Sequence, residues 1–134
     1  MKKILLLILP ALMLVSCTEI IKESARKQLA ATAEITDIEL KGSTIDIGII
    51  CDGCEFKNDE FIYYYTFNED IIPYEALKEN EMMLREEFKR DLQMEAIAGD
   101  EFYSLLKDID GKITYHYTGK NTGQTFIITL KMPN

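Results

Sequence analysis

Apolar residues along the chain follow two periods, and the switches between them outline the elements. Residues 19–33 (EIIKESARKQLAATA) are rich in helix formers and hold no Gly or Pro, which predicts a short helix. From Ile35 the period becomes two. Ile38 and Leu40 alternate with Asp37 and Glu39, Gly42-Ser43 suits a turn, and Ile45, Ile47, Ile49 and Cys51 share the next face. This predicts a hairpin with one buried side, about five to seven residues per strand. A polar loop through Asn58-Asp59 follows. Residues 61–67 (FIYYYTF) are apolar on both faces, as a strand in the middle of a sheet would be.

Pro73 then opens a helical stretch that Asn80 can recap, with Glu81 in the first turn suiting the helix dipole. Leu84, Phe88 and Leu92 recur every four residues, and Glu81–Arg85 and Glu86–Arg90 are i,i+4 pairs for the solvent side. Gly99 ends this helix and Asp100 caps another. Phe102, Leu105, Leu106 and Ile109 fall there at i, i+3, i+4 and i+7, one apolar stripe. Asp110-Gly111 turns the chain back into strand. Ile113, Tyr115 and Tyr117 share a face, residues 119–123 form a loop, and Phe126, Ile128, Leu130 and Met132 face inward. The expected fold class is α+β with two layers. A mostly antiparallel five-stranded sheet carries helices on one face, in the order β-β-β-α-α-β-β after a short N-terminal helix.

The first seventeen residues have a different character. Lys2 and Lys3 precede an apolar run over residues 4–15, and Ser16-Cys17 follows. This is the three-part layout of a secretory signal. Twelve residues at ~1.5 Å each span about 18 Å, short of the ~30 Å hydrocarbon core, and Pro10 interrupts them. Leu14-Val15-Ser16-Cys17 resembles the lipobox of bacterial lipoproteins. The resemblance implies cleavage before Cys17, a diacylglyceryl group on its sulfur and an acyl chain on its freed amine. Several acyl chains together hold a membrane stably, where one does so only marginally. Thr18, in place of Asp, leans towards the outer membrane. The expected organisation is a signal peptide (residues 1–16), a lipidated Cys17 with a helical lead (17–33) and a single globular α+β domain (34–134). The C-terminal half, with its helix, Asp-Gly, Tyr-rich strand and Gly-Lys…Gly loop, also resembles small uncharacterised lipoproteins of Gram-negative gut bacteria. That likeness implies a fold and no activity.

Charge and composition then exclude some functions. The chain carries a net charge of −8, and loss of Lys2 and Lys3 with the signal leaves 13 basic against 23 acidic side chains. Nucleic-acid phosphates and anionic headgroups are repelled by such a balance, so neither is an expected partner through charge alone. Lys22, Arg26 and Lys27 nevertheless cluster on one side of the lead and can lie near headgroups.

Candidate chemistry is sparse. Cys51 and Cys54 flank Asp52-Gly53, and an even pair in an exported protein can form a disulfide. Asp-Gly suits the centre of a tight turn, so a local structural disulfide or an idle thiol pair is expected. A reactive thiolate wants a helix N-terminus and positive neighbours, which the acidic residues 55–60 do not provide. Zinc would need further Cys or His ligands, and no metal or cofactor is expected. Aligning Gly111 with the turn glycine of a calcium loop puts Leu106 and Tyr117 at ligand positions, so that match fails. His116 is the only histidine and points away from Tyr115 and Tyr117, with Thr114 and Thr118. No nucleophile motif accompanies it. Tyr63, Tyr64, Tyr65, Tyr115 and Tyr117 belong to strands expected to be neighbours, where they pack the core or line a binding face. The function expected is a lipid-anchored envelope binding or accessory module, not an enzyme, with an envelope protein or glycan as partner. A thiol-disulfide protein using Cys51 and Cys54 and a purely structural envelope component are the alternatives.

Overall fold

In the computed structural model the backbone is described from Lys2 to Met132 and the side chains from Cys17 to Met132. The signal segment expected at residues 1–16 lies outside the residues described in full. α1 (Lys2–Leu40) is one continuous helix, so residues 17–33 are not a lead set apart from the domain. Ala25, Leu29 and Ala33, four residues apart, are buried in the core. The strand expected at residues 35–40 is the end of this helix. Ile35 and Ile38 also suit a helical spacing, and they are exposed. Once a helix is nucleated, a run without Gly or Pro propagates it at little cost, and six residues of alternation did not outweigh that.

The sheet has five strands in the order β1-β2-β3-β4-β5. They are β1 (Thr44–Asp46), β2 (Ile49–Lys57), β3 (Glu60–Phe67), β4 (Lys112–Gly119) and β5 (Thr125–Lys131). The alternation of Ile45, Ile47, Ile49 and Cys51 does not mark one strand. It is broken by a tight turn at Ile47-Gly48 that pairs Asp46 with Ile49 and leaves Ile47 exposed. β2 and β3 are joined by Asn58-Asp59, both at positive φ as a two-residue hairpin turn requires. Asp59 accepts a two-pronged bond from Arg26 of α1, at 2.8 and 3.2 Å.

Three pairings are antiparallel, and β3 with β4 is parallel. Between those strands run α2 (Tyr74–Glu79), α3 (Glu81–Ile97) and α4 (Glu101–Asp108). α3 spans about 25 Å at ~1.5 Å per residue, close to the length of β3, and so returns the chain to the end where β3 began. Asn80 does not cap α3. Its side-chain amide donates to the Ala76 carbonyl and closes α2 instead. Asp100 does cap α4, accepting from the Phe102 N–H at 2.9 Å. The stripe on α4 packs inward as its spacing predicts, with Leu106 fully buried and Ile109 nearly so.

β2 carries a bulge. Cys51 pairs with Tyr65 and Gly53 with Tyr64, so Asp52 is the extra residue. Gly53 sits at φ 136°, and a Cβ there would collide with Oδ1 of Asp37. That same oxygen accepts the Cys54 N–H at 2.9 Å. Helix and sheet thus meet where only glycine fits. Leu29→Ala is expected to cost ~2–5 kcal/mol as a buried truncation, and Gly53→Ala more than ~1 kcal/mol, whereas Ile38→Ala should be close to neutral. Chemical denaturation of the three variants checks this. A large loss in Ile38→Ala, or none in Leu29→Ala, would restore the expected strand at residues 35–40.

Candidate functional site

The bulge at Asp52 decides where the β2 side chains point. In a regular strand, residues three apart face opposite ways; with one extra residue inserted, Cys51 and Cys54 both face the helices. The turn expected between them is therefore a bulged stretch of strand. Both thiols are free. Cys54 Sγ donates to the Ala33 carbonyl at 3.2 Å, and Cys51 Sγ lies 3.7 Å from the Gly53 carbonyl. Burial raises both thiol pKa values, with Asp37 adding to the shift, and Cys54 reaches about 11. They stay protonated at neutral pH, the opposite of what an attacking thiolate needs.

On the same face, β3 and β4 run in register, so Tyr63 lies beside Tyr115 and Tyr65 beside Tyr117. The rings stack in a patch, with centroids 5.7 Å apart for the first pair, 4.9 Å for the second and 6.2 Å between Tyr63 and Tyr65. The helices roof only part of this patch. α1 covers the β2 side, and Leu92 of α3 and Leu106 of α4 fill the centre. Between the β1–β2 turn and the start of α3 a cleft of about 360 Å³ remains, within the usual ~300–1,000 Å³ for small-molecule sites. Tyr65, Tyr115 and Tyr117 form its floor. Leu84 and Phe88 line one wall and Ile45 and Ile49 the other, and Leu77, Phe126, Asp46 and Glu87 line the cleft as well. The Phe88 ring lies 4.8 Å from that of Tyr115.

Burial pushes all three phenols above their ordinary pKa, Tyr115 to about 12 with Glu95 and Asp91 adding to the shift. They are therefore neutral O–H donors at physiological pH. The cleft thus offers aromatic faces, neutral hydroxyl donors and two carboxylates, a set suited to binding.

The remaining candidates stand apart from it. His116 lies on the uncovered face of the sheet as its parity predicts, half-buried beside Tyr64, with rings 5.5 Å apart. Its Nδ1 is shielded and has no partner among the described residues. Tyr64 is on that face too, donating to Glu55 at 2.5 Å. Asp108 ends α4 and Asp110 forms the turn into β4. Among the described residues no group of three or more His, Cys, Asp and Glu is placed to hold a metal. Cys17 is exposed on α1, well before the first buried position at Ala25. The sequence marked the tyrosines, but the walls from Ile45, Ile49, Leu84 and Phe88 were not foreseen. Their apolar character reads the same whether a position is covered or left open.

No family model and no curated protein matches the chain. Among solved structures it is similar to a protein of Pseudomonas aeruginosa inferred to be secreted, with a TM-score of 0.65 and 15% identity over 82% of this chain and 91% of that one. At this identity the likeness shows the fold alone.

The geometry of the two thiols makes a direct prediction. In the native protein, iodoacetamide at neutral pH should leave Cys51 and Cys54 unmodified. In denaturant both should alkylate without a reductant. Rapid native labelling would indicate a reactive thiolate, and a need for prior reduction would indicate a disulfide.

Proposed function

We propose that the chain is a lipid-anchored binding module of the cell envelope, held in the outer membrane through acylated Cys17. Its tyrosine-floored cleft takes a small amphipathic ligand with a cationic group. The cleft is the observation that carries this reading. Aromatic faces attract cations by their quadrupole, and Asp46 and Glu87 add carboxylates where a charged end would sit. Leu84, Phe88, Ile45 and Ile49 suit the apolar part of such a ligand. The anchor is supported by the lipobox-like Leu14-Val15-Ser16-Cys17 and by the exposure of Cys17. No helix among the described residues is long and apolar enough to cross a membrane. A redox role finds no support in thiols whose pKa is raised.

Dodecyltrimethylammonium below its critical micelle concentration serves as the probe, with dodecyl sulfate as control. Amide and aromatic chemical shifts should change around Tyr65, Tyr115 and Phe88 with the cation and not with the anion. Two exposed charge contacts at ~0.2–1 kcal/mol each sum to ~0.4–2 kcal/mol, so Asp46→Asn/Glu87→Gln should weaken binding about twofold to thirtyfold. Equal response to both surfactants, or shifts that map away from the cleft, would contradict this assignment.

A further inference from the structure

The acidic balance of the chain is not evenly spread. At the end of the sheet where Arg26 of α1 grips the β2–β3 turn, one row of side chains crosses four strands. Lys57 pairs in register with Glu60, Glu60 with Lys112, and Lys112 with Lys131. The three lysines are exposed. Glu60 accepts a hydrogen bond from Thr114, and Lys57 lies 3.0 Å from Glu55. Lys112 and Lys131 face each other directly, and neither has an ion-pair partner among the described residues. Like charges placed opposite one another across a strand pair are unfavourable, and Glu60, on the other side of Lys112, offsets only part of that repulsion.

Position gives this row its meaning. From Arg26 back to Cys17 the helix continues for nine residues, about 13 Å at ~1.5 Å each. The lysine row is therefore the part of the sheet nearest the acylated residue. The acidic side chains at this end are Glu55 and Glu60 in and beside the row itself, Glu19 and Glu23 on α1, Asp108 and Asp110 beside β4, and Asp59, which pairs with Arg26. Most of the other carboxylates lie further along the molecule. The cleft is at the opposite ends of the strands, between Ile49, Tyr65 and Tyr117.

We propose that the Lys57–Lys112–Lys131 row docks on anionic phospholipid headgroups, so that the domain stands upright on its helix with the cleft facing away from the membrane. The proposal rests on the lipid anchor at Cys17. An anionic surface attracts nearby lysines within about a Debye length, ~8 Å at physiological salt, and repels the acidic remainder of the domain. Attraction and repulsion then favour the same orientation, although the net charge of −8 alone argues against any contact with such a surface.

The test uses the full lipidated chain in vesicles of phosphatidylcholine, with and without phosphatidylglycerol. An amine-reactive ester labels exposed lysines, and mass spectrometry reads each site. With phosphatidylglycerol present, labelling of Lys57, Lys112 and Lys131 should fall about fivefold, the factor equivalent to ~1 kcal/mol per lysine. Lys41 and Lys120, at the cleft end, should be unchanged. A K57E/K112E/K131E variant should stay on both kinds of vesicle and protect neither Lys22 nor Lys107 further when phosphatidylglycerol is added. Retention of the wild-type chain with equal labelling on both vesicles would overturn the orientation and leave the anchor intact. Loss of the wild-type chain from both would remove the anchor, and the orientation with it.

Discussion

The docking of α1 onto the bulged strand β2 is the contact on which the rest of the structure depends. A glycine at Gly53 lets Asp37 come close enough to hold the Cys54 N–H, and Arg26 fixes the other end of the contact at Asp59. Between those two points Ala25, Leu29 and Ala33 lie flat on the sheet. Two alanines in this stripe let the backbones approach closely, while Leu29 supplies the volume. The bulge also turns both Cys51 and Cys54 inward, where burial makes them packing residues with protonated thiols.

Because α1 covers the β2 side and α4 the centre, the tyrosines at the far ends of β3 and β4 are left with only a partial roof. Their arrangement follows from the parallel register, which sets Tyr63 beside Tyr115 and Tyr65 beside Tyr117. Stacked aromatic pairs add ~0.5–1.5 kcal/mol each beyond the area they bury. The same rings can therefore support the fold on one side and face a cleft on the other. Site and core are continuous here, and a truncation at Tyr115 would weaken both.

Much of the fold was legible in the sequence, and the parts that were not share one cause. Strongly periodic segments behaved as their period predicts: Leu106 and Ile109 pack inward, Asp100 caps α4, and Phe61 to Phe67 is a central strand. Short segments did not. Ile35, Ile38 and Leu40 satisfy a strand and a helix alike, and only continuity with the preceding helix decides between them. Asp52-Gly53 reads as a turn when the strands beside it are unknown; in the sheet it is a bulge, the other place where a glycine inside a strand is used. The parallel β3–β4 pair depends on helix length matching strand length, which local pattern does not reveal. The candidate site was visible only as a surplus of tyrosines, since which half of a sheet face goes uncovered is settled by how helices far apart in sequence pack.

A stalk that is part of the core, in place of a loose tether, is the central claim. Native-state amide hydrogen exchange along α1 tests it most directly. Exchange requires opening of the hydrogen-bonded backbone, so amides from Leu29 to Asp37 should exchange only with the cooperative unit that includes β3 and β4. Protection in this stretch equal to that of Phe61 and Ile113 is the predicted result. Exchange at the rate of an unstructured chain there, with β3 and β4 still protected, would contradict it and make α1 a tether.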